Sequence, residues 1–335
     1  TSDKTVKISH LFKEYNSNYD VTHGIVSDNY VFRPMGSARM VTDNKVDLQL
    51  VKGQYVQEAR QSYYSFLEPN ISRFSVIVRL FNTPPLQAKD DETLCGHIEL
   101  QFRVGPLSIN KELITRFSTN LTNGKVIYTD ENAYQMMKRN FRKNTTEPIA
   151  QNYYPMVSTA YIEDEKKDLR LTLLSERSHG VSSLTDGQME VMLHRRLINN
   201  QEMAQNYNLT LNDTSVVMPT LWLLLGNKVR SSYLQHRGWL ELENPPVVIV
   251  INQSCNDELK ELGTNFTFIP NLERILLRLH HMYAVGEHPT LSNSVTVNLN
   301  DIFSPMGNII SLQERSLTGI WAQEDVQRWT WATHQ

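Results

Sequence analysis

The side chains able to do acid–base, nucleophilic or metal chemistry in this 335-residue sequence are few and poorly grouped. Carboxylates stand side by side at Asp130-Glu131 and Glu163-Asp164. A pair that cleaves a glycoside must face across a bound sugar at ~5 to 10 Å. Neighbours in a turn or at a strand end diverge instead, so both pairs are expected to be structural. His280-His281 suggests a metal, but adjacent side chains on a strand point to opposite faces and do not easily share one ion. Ser182-Ser183 beside His179 has the residue types of nucleophilic catalysis, although turn hydroxyls more often satisfy backbone groups. A Gly-rich phosphate loop, His-Glu-x-x-His, Cys-x-x-Cys and Gly-x-Ser-x-Gly are all missing from the sequence.

The elements that would hold these residues read as strands. Apolar residues alternate with period two at Val46, Leu48, Leu50, at Phe74, Val76, Val78, Leu80, and at Ile98, Leu100, Phe102, Val104. Turn formers separate such runs at Gly105-Pro106, Asn123-Gly124 and Asp186-Gly187. The expected fold is all-β and mainly antiparallel, with few helices: a large β-sandwich followed by a smaller β-sandwich-like subdomain. A chain of this length exceeds what one core usually fills. The polar stretch from Asn199 to Ser215 precedes the apolar run Leu221 to Leu225, which places the boundary between domains 1–215 and 216–335. Pro245-Pro246 marks an irregular entry to the run Val247 to Ile251. Residues 272–283 fit both a helical and a period-two pattern.

Composition narrows the partners. With 40% hydrophobic and 21% charged residues and a net charge of −3, the chain is an ordinary folded protein, and no basic tract suits nucleic acid. No apolar run approaches the ~20 residues of a membrane-crossing helix. The start Thr1-Ser2-Asp3-Lys4 fits a piece of a longer precursor. Asn-x-Ser/Thr sites occur at Asn70, Asn120, Asn144, Asn208, Asn212, Asn252 and Asn265, against roughly three or four expected by chance, which favours a glycosylated protein of the secretory route. Cys95 and Cys255 leave three alternatives open: one bridge, bonds to another segment, or two buried thiols.

An ordered set of segments adds a resemblance. It comprises Asn152-Tyr153-Tyr154-Pro155, the run Leu171-Thr172-Leu173-Leu174-Ser175-Glu176-Arg177-Ser178, then Val181-Ser182-Ser183-Leu184, Asp186-Gly187 and His194-Arg195-Arg196-Leu197. Tyr30-Val31-Phe32-Arg33-Pro34, Ile127-Tyr128-Thr129-Asp130 and Gln313-Glu314-Arg315-Ser316-Leu317 extend it over almost the whole chain. In this order the sequence resembles the carboxy-terminal β portion of glycoside hydrolase family 38, the class II α-mannosidases. Asn208 to Ser215, Leu221 to Gly226 and Arg328-Trp329-Thr330-Trp331 match best the branch acting on core α-1,6-mannose.

The resemblance implies a zinc-dependent retaining glycosidase that trims mannose from N-glycans, lysosomal or secreted, with Zn²⁺ and the Asp nucleophile in a separate amino-terminal catalytic chain of the same precursor. No catalytic or metal residue is then expected in this chain, which alone would be inactive; the sequence leaves open whether it forms a homo-oligomer. Ser27-Asp28-Asn29-Tyr30 matches a Ser-Gly-Ala-Tyr segment of the family, so Tyr30 is the expected contact to the bound mannoside, the middle two residues departing from the pattern. A family arginine of an Asp-Asp-x-Arg-Gly segment is replaced by Met203. A thioether cannot supply guanidinium hydrogen bonds, so substrate preference should shift. Arg195 and Arg196 are expected at the interface or rim, on opposite faces of a strand, with at least one paired to an acid across a domain interface. The resemblance favours a strand over 272–283. The competing reading is a lectin-like module binding mannose-rich glycans through Trp321, Trp329 and Trp331.

Overall fold

The structure, a computed structural model, describes residues 5–41, 44–65, 70–82, 96–198, 212–245, 247, 275–304 and 307–327. The chain divides into two compact units, Thr1–Pro245 with Gly286–Leu291, and Pro246–Val285 with Ser292–Gln335.

The first unit is a sandwich of two antiparallel sheets. Its strands, in chain order, are β1 (Ile8–Asn16), β2 (Arg39–Met40), β3 (Asn44–Lys52), β4 (Val56–Ser65), β5 (Ser72–Phe81), β6 (His97–Val104), β7 (Lys111–Thr119) and β8 (Ile127–Glu131). They continue as β9 (Gln135–Arg139), β10 (Tyr154–Met156), β11 (Thr159–Asp164), β12 (Leu169–Ser175), β13 (His179–Ser182), β14 (Gln188–Arg196) and β15 (Thr220–Gly226). One sheet has the order β10-β13-β14-β7-β1-β2, the other β3-β4-β5-β6-β15-β12-β11-β8-β9. The expected turn formers sit where they were read: Gly105-Pro106 follows β6, Asn123-Gly124 separates β7 from β8, and Asp186-Gly187 separates β13 from β14.

Alternation explains the core. Phe12, Phe117, Met189 and Val191 face inward from the six-stranded sheet and meet Val76, Phe102, Leu171, Leu173, Leu221 and Leu223 of the nine-stranded sheet in one apolar cluster. This burial is the main stabilising term, at about 25 cal/mol per Å² of apolar surface removed from water. The unbroken run Leu221 to Leu224 follows from double coverage of β15. Leu221 and Leu223 join the inter-sheet core, while Trp222 and Leu224 pack with Leu174 under Leu234 of helix α1 (Lys228–Glu243). Asn227 caps that helix, its side chain accepting from the Arg230 N–H at 2.9 Å. The face α1 turns to the sheet carries Ser231, Ser232, Gln235 and Gly238 as well as Leu234. At Gly238 an added Cβ would stand 3.0 Å from Leu174 Cδ1, so glycine permits the close approach.

The observed division differs from the boundary expected at 215/216. β15 pairs with β6 and β12 in the middle of the nine-stranded sheet, which carries the first unit on to Pro245.

In the second unit the described residues form helix α2 (Leu299–Phe303), a bridge between Arg315 and Ala322, and a 3₁₀ turn at Gln323–Asp325. Residues 275–283 are neither helix nor strand, which corrects the expectation of a strand there. Period-two spacing shows which face is apolar, but a strand also needs a ladder partner, and 275–283 has none among the described residues.

Candidate functional site

Between β1 and β2 the chain makes a long excursion with Tyr30 at its tip. The loop is closed by its own backbone: Asn18 N–H donates to Arg33 O at 2.8 Å, Ser27 N–H to Asn18 O at 2.7 Å, and Met35 N–H to Asn16 O at 2.8 Å. The Ser27 hydroxyl donates to Arg33 O at 2.9 Å and accepts from Arg33 N–H at 2.8 Å. Asp28 is wholly buried, and its Oδ1 accepts the N–H groups of both Tyr30 and Val31 at 2.7 Å. A carboxylate that binds backbone donors two and three residues on builds a turn in place of a ladder. Tyr30 stands 78% exposed on this support.

Packing fixes the loop to the sandwich. Phe32 meets Tyr15 and Tyr153 edge-on, at centroid distances of 5.4 and 5.0 Å. Arg33 forms an ion pair with Glu147. Below, the buried Glu190 accepts from the hydroxyls of Tyr15 at 2.5 Å and Tyr153 at 2.6 Å, while Arg116 grips its other oxygen at 2.7 and 2.5 Å. Burial, followed by the Glu190 charge, pushes both phenols well above their ordinary range, so they remain donors at any working pH. The carboxylate has its oxygens fully used, which is the condition under which a buried charge is tolerated.

Arg195 and Arg196 take opposite directions, as expected on a strand. Arg195 reaches the Tyr30 loop, donating to Val31 O at 3.2 Å, and pairs with Glu112. Glu112 lies directly across from Arg195 on β7 of the same sheet, so the expected acid across a domain interface is instead a cross-strand neighbour. Burial pushes the Glu112 carboxyl up and the Arg195 guanidinium opposes that. Arg196 turns away and donates to Leu107 O at 2.6 Å and Asn212 Oδ1 at 2.7 Å. Asn70, Asn120, Asn144 and Asn212 are exposed. Met203, Asn208, Asn252, Asn265, Cys95, Cys255, Trp329 and Trp331 lie outside the described residues.

The other candidates are absorbed by structure. Asp130 accepts Val157 N–H and Ser158 N–H at 2.9 Å each, and Glu131 pairs with Arg139. Glu163 is held by Arg170 at 2.8 Å, and Asp164 takes Thr122 N–H at 2.9 Å. Ser182 and Ser183 hydroxyls donate to Asn152 O and Gln188 O at 2.6 Å, and His179 Nδ1 contacts Met192 O at 2.7 Å, so they form no nucleophile–base pair. His281 places Nδ1 and Nε2 on the carbonyls of Tyr283 and Asn293 at 2.9 and 3.0 Å. Among the described residues no three His, Cys, Asp or Glu side chains are grouped to hold a metal. The described residues therefore do not fit a zinc site.

The profile described as the glycosyl hydrolases family 38 C-terminal domain matches residues 1–202, more than half of the chain. The chain belongs to glycoside hydrolase family 38. It is 40% identical to the epididymis-specific alpha-mannosidase of Homo sapiens, over 99% of this chain and 36% of that protein. To the lysosomal alpha-mannosidase of Bos taurus it is 32% identical, over 91% of this chain and 31% of that protein. This family 38 chain thus spans about a third of the length of the curated relatives it matches. A solved alpha-mannosidase from Enterococcus faecalis V583 shares the fold with a TM-score of 0.51 at 8% identity, covering 70% of this chain and 27% of that one. The sequence segments that carry the family likeness are largely architectural: Leu171, Leu173, Val181 and Ser182 are fully buried. Asp186 ties the corner before β14 by accepting Asn123 N–H and Gly124 N–H at 2.8 Å.

Sequence reading missed Glu190, Glu112, Tyr15 and Asp28 as members of one region. The first three meet only through strand pairing between residues far apart in the chain. Asp28 had a local signal, an Asp two residues before Tyr30, of the kind that builds an Asx turn.

Proposed function

We propose that this chain is the carboxy-terminal β portion of a zinc-dependent retaining α-mannosidase that trims mannose from N-glycans, core α-1,6-mannose being the preferred linkage. The observation that carries the reading is Tyr30 itself, exposed on a loop whose backbone is tied down by Asp28 on either side of it. A hydroxyl on a rigid support suits recognition of a sugar hydroxyl, because little motion is lost on binding. Zn²⁺ and the nucleophile belong to a separate amino-terminal portion, and this chain contributes the rim with Tyr30, Arg195 as its support, and Met203 in place of an arginine. The similarity to lysosomal and epididymis-specific alpha-mannosidases supports a lysosomal or secreted glycoprotein with N-glycans at the seven sequons.

Intact mass of the native material, followed by α-mannosidase assay with and without a zinc chelator, tests this reading. A co-purifying catalytic chain with chelator-sensitive activity supports it, and the mass also reads any homo-oligomer. A lone inactive chain that binds mannan would favour the lectin reading, for which Trp321 is an exposed aromatic among the described residues.

A further inference from the structure

A set of buried polar atoms lies beneath the Tyr30 loop. Asp28 Oδ1 takes the N–H groups of Tyr30 and Val31, and the Asp28 N–H returns to Val31 O at 3.0 Å. The same Val31 carbonyl is gripped by Arg195 at 3.2 Å, itself held by the buried Glu112. The peptide units on both sides of Tyr30 are therefore fixed. The remaining oxygen of Asp28 and Nε of Arg195 are buried without a partner in the protein. Burying a carboxyl group with one oxygen unsatisfied is costly, so the acceptor at Asp28 is held in place against that cost.

We propose that Asp28 is a positioning residue of the mannosidase: by tying the N–H groups of Tyr30 and Val31 it sets where the Tyr30 hydroxyl stands relative to the bound sugar. Asp28 touches no substrate and acts through Tyr30, with Arg195 holding the far side of the turn. The inference rests on the reading of Tyr30 as the mannoside contact.

The test compares Asp28→Ala, Asp28→Asn, Tyr30→Phe and the double variant Asp28→Ala/Tyr30→Phe in the complete mannosidase, with kcat and KM for an α-mannoside normalised to folded protein. Asp28→Ala should lower kcat/KM about tenfold or more, chiefly through kcat, since small misplacements of a contact group are expensive. Asp28→Asn keeps the acceptor and should recover most of the activity. In the double variant the losses should fall well short of additive, because both act on one contact. Where Asp28→Ala does not fold, Asp28→Ser, which retains a shorter acceptor, should give an intermediate loss. Additive losses, or Asp28→Ala or Asp28→Ser with wild-type kcat/KM beside an impaired Tyr30→Phe, overturn the proposal alone. Full activity of Tyr30→Phe overturns the sugar-contact reading and the proposal with it.

Discussion

At the residue scale the molecule places its titratable groups where they serve packing, and two of them make the fold sensitive to change. Glu190 collects two phenols and a guanidinium in the interior. Glu190→Ala would leave Arg116 charged and without its carboxylate, so unfolding stability should fall by about 3 to 5 kcal/mol in denaturant titration; a loss under 1 kcal/mol would show that the cluster contributes little. His10 lies among Phe12, Phe102 and Phe117 at centroid distances of 5.2, 5.7 and 5.5 Å. Burial there lowers its pKa to about 4. Because the folded value lies below the unfolded one, the unfolded chain binds the proton first. Stability is then complete above the usual histidine range and declines as pH falls from ~6.5 toward 4, by about 2 kcal/mol at pH 5. His10→Leu should flatten that decline between pH 7 and pH 5, and an unchanged slope would assign it to other groups. These positions show what a sequence reveals about sites. Likeness to a family segment singles out Tyr30 for the proposed sugar contact, whereas nothing local marks Glu190, since its partners at positions 15, 116 and 153 are brought together only by strand register.

Elements were read best where one periodicity ruled. β5 and β6 lie where period-two alternation put them, and their inward residues Val76, Leu100 and Phe102 are buried. Helix α1 was harder to see because small polar residues and Gly238 occupy its packed face, which blurs the apolar stripe that marks an amphipathic helix. Over 275–283 two periodicities coexist and neither element formed. Corners offer a sharper test of local logic. Gly187 has φ +71°, and a Cβ there would sit 2.7 Å from the carbonyl oxygens of Thr119 and Leu121. Gly187→Ala should cost about 2 kcal/mol or more, since strain and overlap add. Gly124→Ala, at φ +60° with open space around it, should cost about 1 kcal/mol from strain alone. Comparing the two melting temperatures separates the terms, and equal losses would refute the contribution of overlap.

At the scale of the whole molecule, the nine-stranded sheet overhangs its partner. Val46, Leu48 and Leu50 of β3 stand opposite Tyr63, Gln61 and Ala59 of β4, which stand opposite Phe74, Val76 and Val78 of β5. The row that is core at Phe74 and Val76 is exposed at Leu48 (60%) and Leu50 (65%). Apolar surface of this kind promotes association, so the purified chain should self-associate at high concentration in light scattering, and Leu48→Lys with Leu50→Lys should reduce it; unchanged association would place the sticky surface elsewhere. The position of β15 has a consequence of another kind, in the order of synthesis. It is the last strand of the first unit to be made, yet it lies between β6 and β12. Until residue 226 leaves the ribosome, β6 and β12 lack the strand that joins them, and at about 5 to 20 residues per second β6 waits several seconds for that neighbour. The edges of both strands are open to pairing with other chains in that interval, and a chain ending before β15 would leave them unpaired for good.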